Sequence, residues 1–238
     1  MRTYLVVDDN RDFAENLAEI LRDRGDDAAI AQSGAEAVAL ARTRRFDALL
    51  TDMRMPLMGG AEVVHEIRRR DPGVPALVVT AHSGDDVLEG ARREGLLAVL
   101  SKPVDVPRLL ELLADARRDG LVAVIEDDLR LSDNLCEALR SRGFAAVTAS
   151  SVTETERLGP VRPFCALVDL RLPGGPDGEA MRRLAARYPG LPMIVVTAYP
   201  DAPSAPHEAF FSKPFDTREL LGAVERLHRA RAGGDPAR

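Results

Sequence analysis

Tryptophan is absent, aromatic residues make up 4% of the chain, and only two cysteines occur in 238 residues. With so few rings, and no basic stretch interleaved with them, the sequence offers no stacking platform for nucleic acid. A formal charge of -6 also opposes an extended phosphate-binding face, so direct DNA or RNA binding is not expected. Cys136 and Cys165 are too few and too isolated for a disulfide framework or a metal site. Cys165 lies in an apolar run, and both are read as buried, reduced thiols. No apolar run reaches the roughly eighteen residues a membrane helix needs, so no membrane segment is expected. Met1 leads directly into the strand-like Tyr4-Leu5-Val6-Val7, with neither a basic leader nor a small-residue cleavage site, and the expected compartment is the cytoplasm.

What is present is a long internal repeat. Leu5-Val6-Val7-Asp8-Asp9 recurs 118 residues later as Ala123-Val124-Ile125-Glu126-Asp127. At an offset of 117, Leu50-Thr51-Asp52-Met53-Arg54-Met55-Pro56 is matched by Val168-Asp169-Leu170-Arg171-Leu172-Pro173, and Leu77-Val78-Val79-Thr80-Ala81 by Ile194-Val195-Val196-Thr197-Ala198. Ser101-Lys102-Pro103 returns as Ser212-Lys213-Pro214 at an offset of 111, so the second copy is six residues shorter just before it. A period this long signals duplicated domains and not a solenoid.

Within each copy, short β-rich apolar runs alternate with amphipathic stretches, the pattern of a parallel sheet covered by helices. Strands are expected near 3–8, 27–31, 47–52, 75–80 and 97–101, with helices beginning near Asn10, Gly34, Gly59, Asp85 and Val106. The second copy is expected to follow the same order. Residues 1–118 and 119–231 form the two expected domains, with a flexible tail over 232–238. An intact helix is expected from Asp85 to Glu94. Its counterpart carries Pro200, Pro203 and Pro206, each of which removes a donor and clashes with the preceding turn, so the fourth helix of the second domain is expected to be degenerate.

In an open parallel sheet, ligands bind at the carboxyl ends of the strands, and the repeated polar residues fall there. The first copy offers Asp8, Asp9, Asp52, Thr80 and Lys102; the second offers Glu126, Asp127, Asp169, Thr197 and Lys213. Three carboxylates in one place repel each other unless a cation shares the site, and hard oxygen ligands suit Mg²⁺. One Mg²⁺ and one lysine would neutralise them and leave Asp52 or Asp169 ionised as a nucleophile toward phosphorus. Lysine usage sharpens the argument. Of 32 basic residues only Lys102 and Lys213 are lysine, at equivalent places in the repeat, where a compact point charge suits a phosphoryl group.

Taken together, the acid pair, the Asp, the Thr-Ala and the Lys-Pro resemble the receiver domains of two-component response regulators, twice over nearly the whole chain. That resemblance implies two tandem flavodoxin-like (βα)5 domains, doubly wound α/β with strand order 2-1-3-4-5. Asp52 and Asp169 would be the phospho-acceptors. Asp9 and Asp127 would bind Mg²⁺ directly, Asp8 and Glu126 would assist, and the backbone carbonyls of Arg54 and Arg171 would complete the shell. Thr80 and Thr197 would close on the phosphoryl group, and Lys102 and Lys213 would pair with it, with cis bonds to Pro103 and Pro214. A sensor histidine kinase or a phosphotransfer protein would be the donor, an unidentified protein the downstream partner, and a homodimer one mode of assembly. An aromatic residue commonly stands three positions before the lysine; here those places hold Val99 and Phe210, so Thr-aromatic coupling is expected of the second domain alone.

Plainer readings exist for each motif. An acid pair at a strand-helix junction can be a helix N-cap, and Ser-Lys-Pro can be a turn. His65-Glu66-Ile67-Arg68 is read as a solvated helix face, and His82, His207 and His228 lack metal-ligand spacing. Residues 200–206 are read evenly as an inert loop or as a functional remodelling. Only 25 residues follow Lys213, so no output domain is expected unless the chain is a fragment of a longer regulator. The expected function is that of a phospho-accepting regulator and not an enzyme, working through protein contacts or onward phosphotransfer. One rival is a scaffold with one switching and one non-switching domain. Another is a phosphatase with an aspartyl intermediate, but Arg54 and Arg171 occupy the places where such enzymes carry a general acid. A flavodoxin-like electron carrier lacks both a phosphate-cradling loop and a Trp.

Overall fold

The computed structural model describes residues 1–81, 95–158, 162–199 and 205–233, without the side chains of 157, 232 and 233. The chain divides into two compact units, Met1–Asp119 and Gly120–Arg238.

In the first unit the order is β1 (Thr3–Val7), α1 (Arg11–Asp23), β2 (Asp27–Ala31), α2 (Gly34–Thr43), β3 (Ala48–Thr51), α3 (Gly60–Arg68), β4 (Ala76–Thr80), β5 (Ala98–Ser101) and α4 (Val106–Asp115). All pairings are parallel, in the order β2-β1-β3-β4-β5. Alternation along β1 explains the two-sided core. Leu5 and Val7 join one cluster with Leu49, Val63, Ile67 and Val78, while Tyr4 and Val6 join another with Leu17, Leu21, Leu50, Leu77 and Leu109. Helix α1 buries Ala14, Leu17, Ala18 and Leu21, the spacing of one helical face. At its end Gly25 adopts φ 85°, a conformation that favours glycine. The helix expected from Asp85 to Glu94, and His82, lie outside the described residues.

The second unit runs β6 (Leu121–Ile125), α5 (Leu129–Arg140), β7 (Ala145–Ala149), β8 (Cys165–Val168), α6 (Glu179–Arg187), β9 (Met193–Thr197), β10 (Ala209–Ser212) and α7 (Thr217–Gly233). Its parallel sheet has the order β7-β6-β8-β9-β10, the same winding as the first. Cys136 and Cys165 are buried and not joined in a disulfide, and burial pushes the Cys165 thiol pKa up. Helix α7 continues to Gly233, into the expected tail; residues 234–238 lie outside the described residues.

The two units differ in their second helix. The sequence reading expects the second copy to repeat the first, but the counterpart of α2 is the four-residue 3-10 helix Glu154–Arg157. Local side chains compete with helical bonding there: the Thr155 hydroxyl donates to the Val152 carbonyl at 2.6 Å, and Glu154 accepts from the Ser150 N–H and hydroxyl at 2.7 and 2.8 Å. Arg187 closes the turn by donating to the carbonyls of Glu156 and Leu158. Pro200 and Pro203, which motivate a degenerate fourth helix, lie outside the described residues.

Candidate functional site

Parallel pairing brings the carboxyl ends of β1, β3, β4 and β5 to one edge. The Asp52 N–H donates to the Val7 carbonyl at 2.9 Å, and the Lys102 N–H to the Thr80 carbonyl at 2.8 Å, which sets the acids and the lysine level with one another. The second unit repeats this, with Asp169 N–H on Ile125 at 2.9 Å and Lys213 N–H on Thr197 at 2.8 Å.

The acid pairs are not the helix caps. Asn10 caps α1 by accepting from the Phe13 N–H at 3.1 Å, and Asp128 caps α5 by accepting from Arg130 and Leu131 at 2.9 and 3.2 Å. Asp8 and Asp9 are thereby left free to gather with Asp52, each with an oxygen within 4.8 Å of the others; Glu126, Asp127 and Asp169 do the same. Asp9 and Asp127 are exposed, whereas Asp8, Glu126 and Asp169 are buried. Lys102 Nζ lies 2.6 Å from Asp8 Oδ2 and 2.7 Å from Asp52 Oδ2. Lys213 Nζ lies 2.7 Å from Glu126 Oε2 and 2.6 Å from Asp169 Oδ2. Glu126, one methylene longer than Asp8, reaches the same partner. Thr80 and Thr197 are buried at the ends of β4 and β9. The Lys102–Pro103 and Lys213–Pro214 bonds are cis. The N–H groups of Arg54 and Arg171 donate to Oδ1 of Asp52 and Asp169 at 3.1 and 3.2 Å.

The electrostatics follow from burial. Desolvation raises the carboxyl pKa of Asp8 and of Glu126, outweighing the hydrogen bonds from Lys102 and Lys213. Desolvation also opposes the charge on each lysine, but hydrogen bonds and charge from its two acid partners prevail and raise its pKa. Each site therefore holds one firm cation among three carboxylates, a donor set of hard oxygens that accommodates a divalent cation.

In family comparisons, the model for the response regulator receiver domain matches residues 4–114. A response regulator receiver protein of Anaeromyxobacter sp. (strain Fw109-5) is 76% identical over 231 residues, 97% of each chain. The chain belongs to the response regulator receiver family. Response regulators serve two-component signal transduction. The transcriptional regulatory protein ZraR of Salmonella typhimurium is 39% identical over 109 residues, 46% of this chain. The chain spans about a quarter of the length of that relative, 25%. Among solved structures, the chemotaxis protein CheY4 of Vibrio cholerae is 30% identical with a TM-score of 0.46, covering 48% of this chain and 97% of its own. No helix among the described residues is long and apolar enough to cross a membrane.

Three neighbours of the receiver sites went unnoticed in the sequence. The Phe13 ring lies 4.2 Å from Lys102 Nζ, measured to its centroid. In the second unit the Arg171 guanidinium stacks 3.6 Å above the Tyr199 ring, hydrogen-bonds its hydroxyl, and pairs with Asp177 at 3.1 Å. Neither Phe13 nor Tyr199 belongs to a repeated motif, so the comparison of the two copies that found the acids and lysines could not find them. Val99 packs half-buried against the α3 side of its sheet, and Phe210 does so in the second unit, edge-on to His207.

Proposed function

We propose that the chain is a tandem-receiver regulator that accepts phosphoryl groups on Asp52 and Asp169 in a Mg²⁺-dependent reaction. The observation that carries this is the pair of matching sites, each with three convergent carboxylates and the unit's single lysine bonded to the acceptor Asp. Asp9 and Asp127, exposed and adjoining the buried acids, would hold the metal with Asp8, Glu126 and the acceptors, and the carbonyls of Arg54 and Arg171 would complete its shell. When bound, the metal would supply charge neutralisation at the transferring phosphoryl group. Lys102 and Lys213 pair with its oxygens, and Thr80 and Thr197 close on it from the ends of β4 and β9. The donor is a phosphohistidine on a sensor kinase or phosphotransfer protein, and the output is a protein contact or onward phosphotransfer. The protein is a regulator and not a turnover enzyme; self-catalysed transfer and dephosphorylation are its only chemistry.

Wild type, Asp52→Ala, Asp169→Ala and the double variant, each incubated with acetyl phosphate or fluoroberyllate and Mg²⁺, test this by intact mass or bound analogue. Two equivalents in wild type, one in each single variant and none in the double are expected. Loading at a single site would make the other unit a scaffold, and no loading at all would remove the reading.

A further inference from the structure

The two lysines are held differently. Among the described residues, Lys102 Nζ contacts Asp8 Oδ2, Asp52 Oδ2 and the face of Phe13. Phe13 sits in the first turn of α1, its N–H tied to the Asn10 cap and its ring packed against the core cluster that includes Leu17 and Leu109. The ring is thus held by the helix that carries it and by the core it packs against. The matching position 118 residues later is Leu131, and among the described residues no ring stands over Lys213.

Both acids that hold Lys102 are groups whose role changes during the proposed cycle. A metal would take up Asp8, and an acyl phosphate on Asp52 would replace the ionised carboxylate by the oxygens of the phosphoryl group. An aromatic quadrupole neither titrates nor ligates, so its attraction for an ammonium persists through both events. We propose that Phe13 is a positioning residue of the first site, its ring face keeping the Lys102 ammonium in place while Asp8 and Asp52 exchange partners, and that the second site works without this hold. The functional consequence rests on the phospho-acceptor reading; the contact itself does not.

Because Lys102 and Lys213 are the only lysines, the full chain labelled with ¹³C-lysine gives two side-chain Cε–Hε signals. In metal-free wild type the Lys102 protons are expected upfield, shifted by the ring, with a higher order parameter than Lys213. Phe13→Leu brings both properties to the Lys213 values, Phe13→Tyr retains them, and Leu131→Phe confers them on Lys213. With Mg²⁺ and acetyl phosphate, Phe13→Leu slows loading at Asp52 by about fivefold and leaves Asp169 at its wild-type rate. An unchanged Lys102 signal and order parameter in Phe13→Leu overturns the proposal, as does a changed signal with wild-type loading at Asp52. If wild type loads at neither site, the acceptor reading fails and the lysine order parameters alone decide whether Phe13 positions Lys102.

Discussion

Asp8 is 2% exposed and Glu126 3%, and their burial is the most consequential residue-scale feature of the two sites. Because desolvation raises the Asp8 pKa in the folded state, the folded protein holds that proton more tightly than the unfolded chain does. Stability from this group is therefore greatest in acid and falls as pH climbs from the ordinary carboxylate value through the raised one. At neutral pH the ionised Asp8 is a standing cost. Asp8→Asn is accordingly expected to raise the metal-free thermal midpoint of the first unit by roughly a few degrees and to reduce that unit's further rise on adding Mg²⁺, leaving the rise of the second unit in place. Melting curves with and without the ion check both effects. Lys102 works in the opposite sense: its raised pKa makes its contribution complete at neutral pH and lost only as pH rises through the folded value. Lys102→Met leaves Asp8 without its cation and is expected to cost about 1–3 kcal/mol in urea unfolding. The acids and lysines were legible in the sequence because duplication printed them twice. Phe13 and Tyr199 were not, because each touches its site from one copy alone.

At the scale of elements, the approach of α3 to β3 sets where Asp52 points. Gly60, the first residue of α3, donates its N–H to the Met53 carbonyl at 3.0 Å, and a Cβ there would run into the Asp52 carbonyl. Gly60→Ala is expected to cost about 1–3 kcal/mol by overpacking and to weaken fluoroberyllate binding at Asp52 while sparing Asp169. Urea titration and analogue binding to Asp169→Ala and Asp52→Ala backgrounds separate the two effects. Strands were the most legible elements, since apolar runs such as Leu121–Ile125 are buried on both faces and leave no ambiguous side. The 3-10 helix at Glu154–Arg157 was illegible for the converse reason. Its mixture of Thr and Glu passes for an amphipathic helix until the side-chain bonds of Thr155 and Ser150 are known.

For the molecule as a whole, every residue of the two core clusters flanking the first sheet lies within Met1–Asp119, and both clusters of the second lie beyond it. Residues 1–119 expressed alone are expected to unfold in a single cooperative transition, with coincident curves by circular dichroism and by proton NMR; a broad, probe-dependent melt would show that the unit needs the rest of the chain. Tandem duplication was legible at this scale because the motif offsets of 118 and 117 agree across two thirds of each copy. The stack of Arg171 on Tyr199 has an optical consequence. A chain without tryptophan emits from its three tyrosines, and Tyr4 and Tyr188 are buried while Tyr199 is half-exposed beside the second acceptor. Quenching of the intrinsic ultraviolet emission by a water-soluble agent therefore reads Tyr199 above the others. The protein carries, with no label attached, a fluorescent gauge of its second site and none of its first.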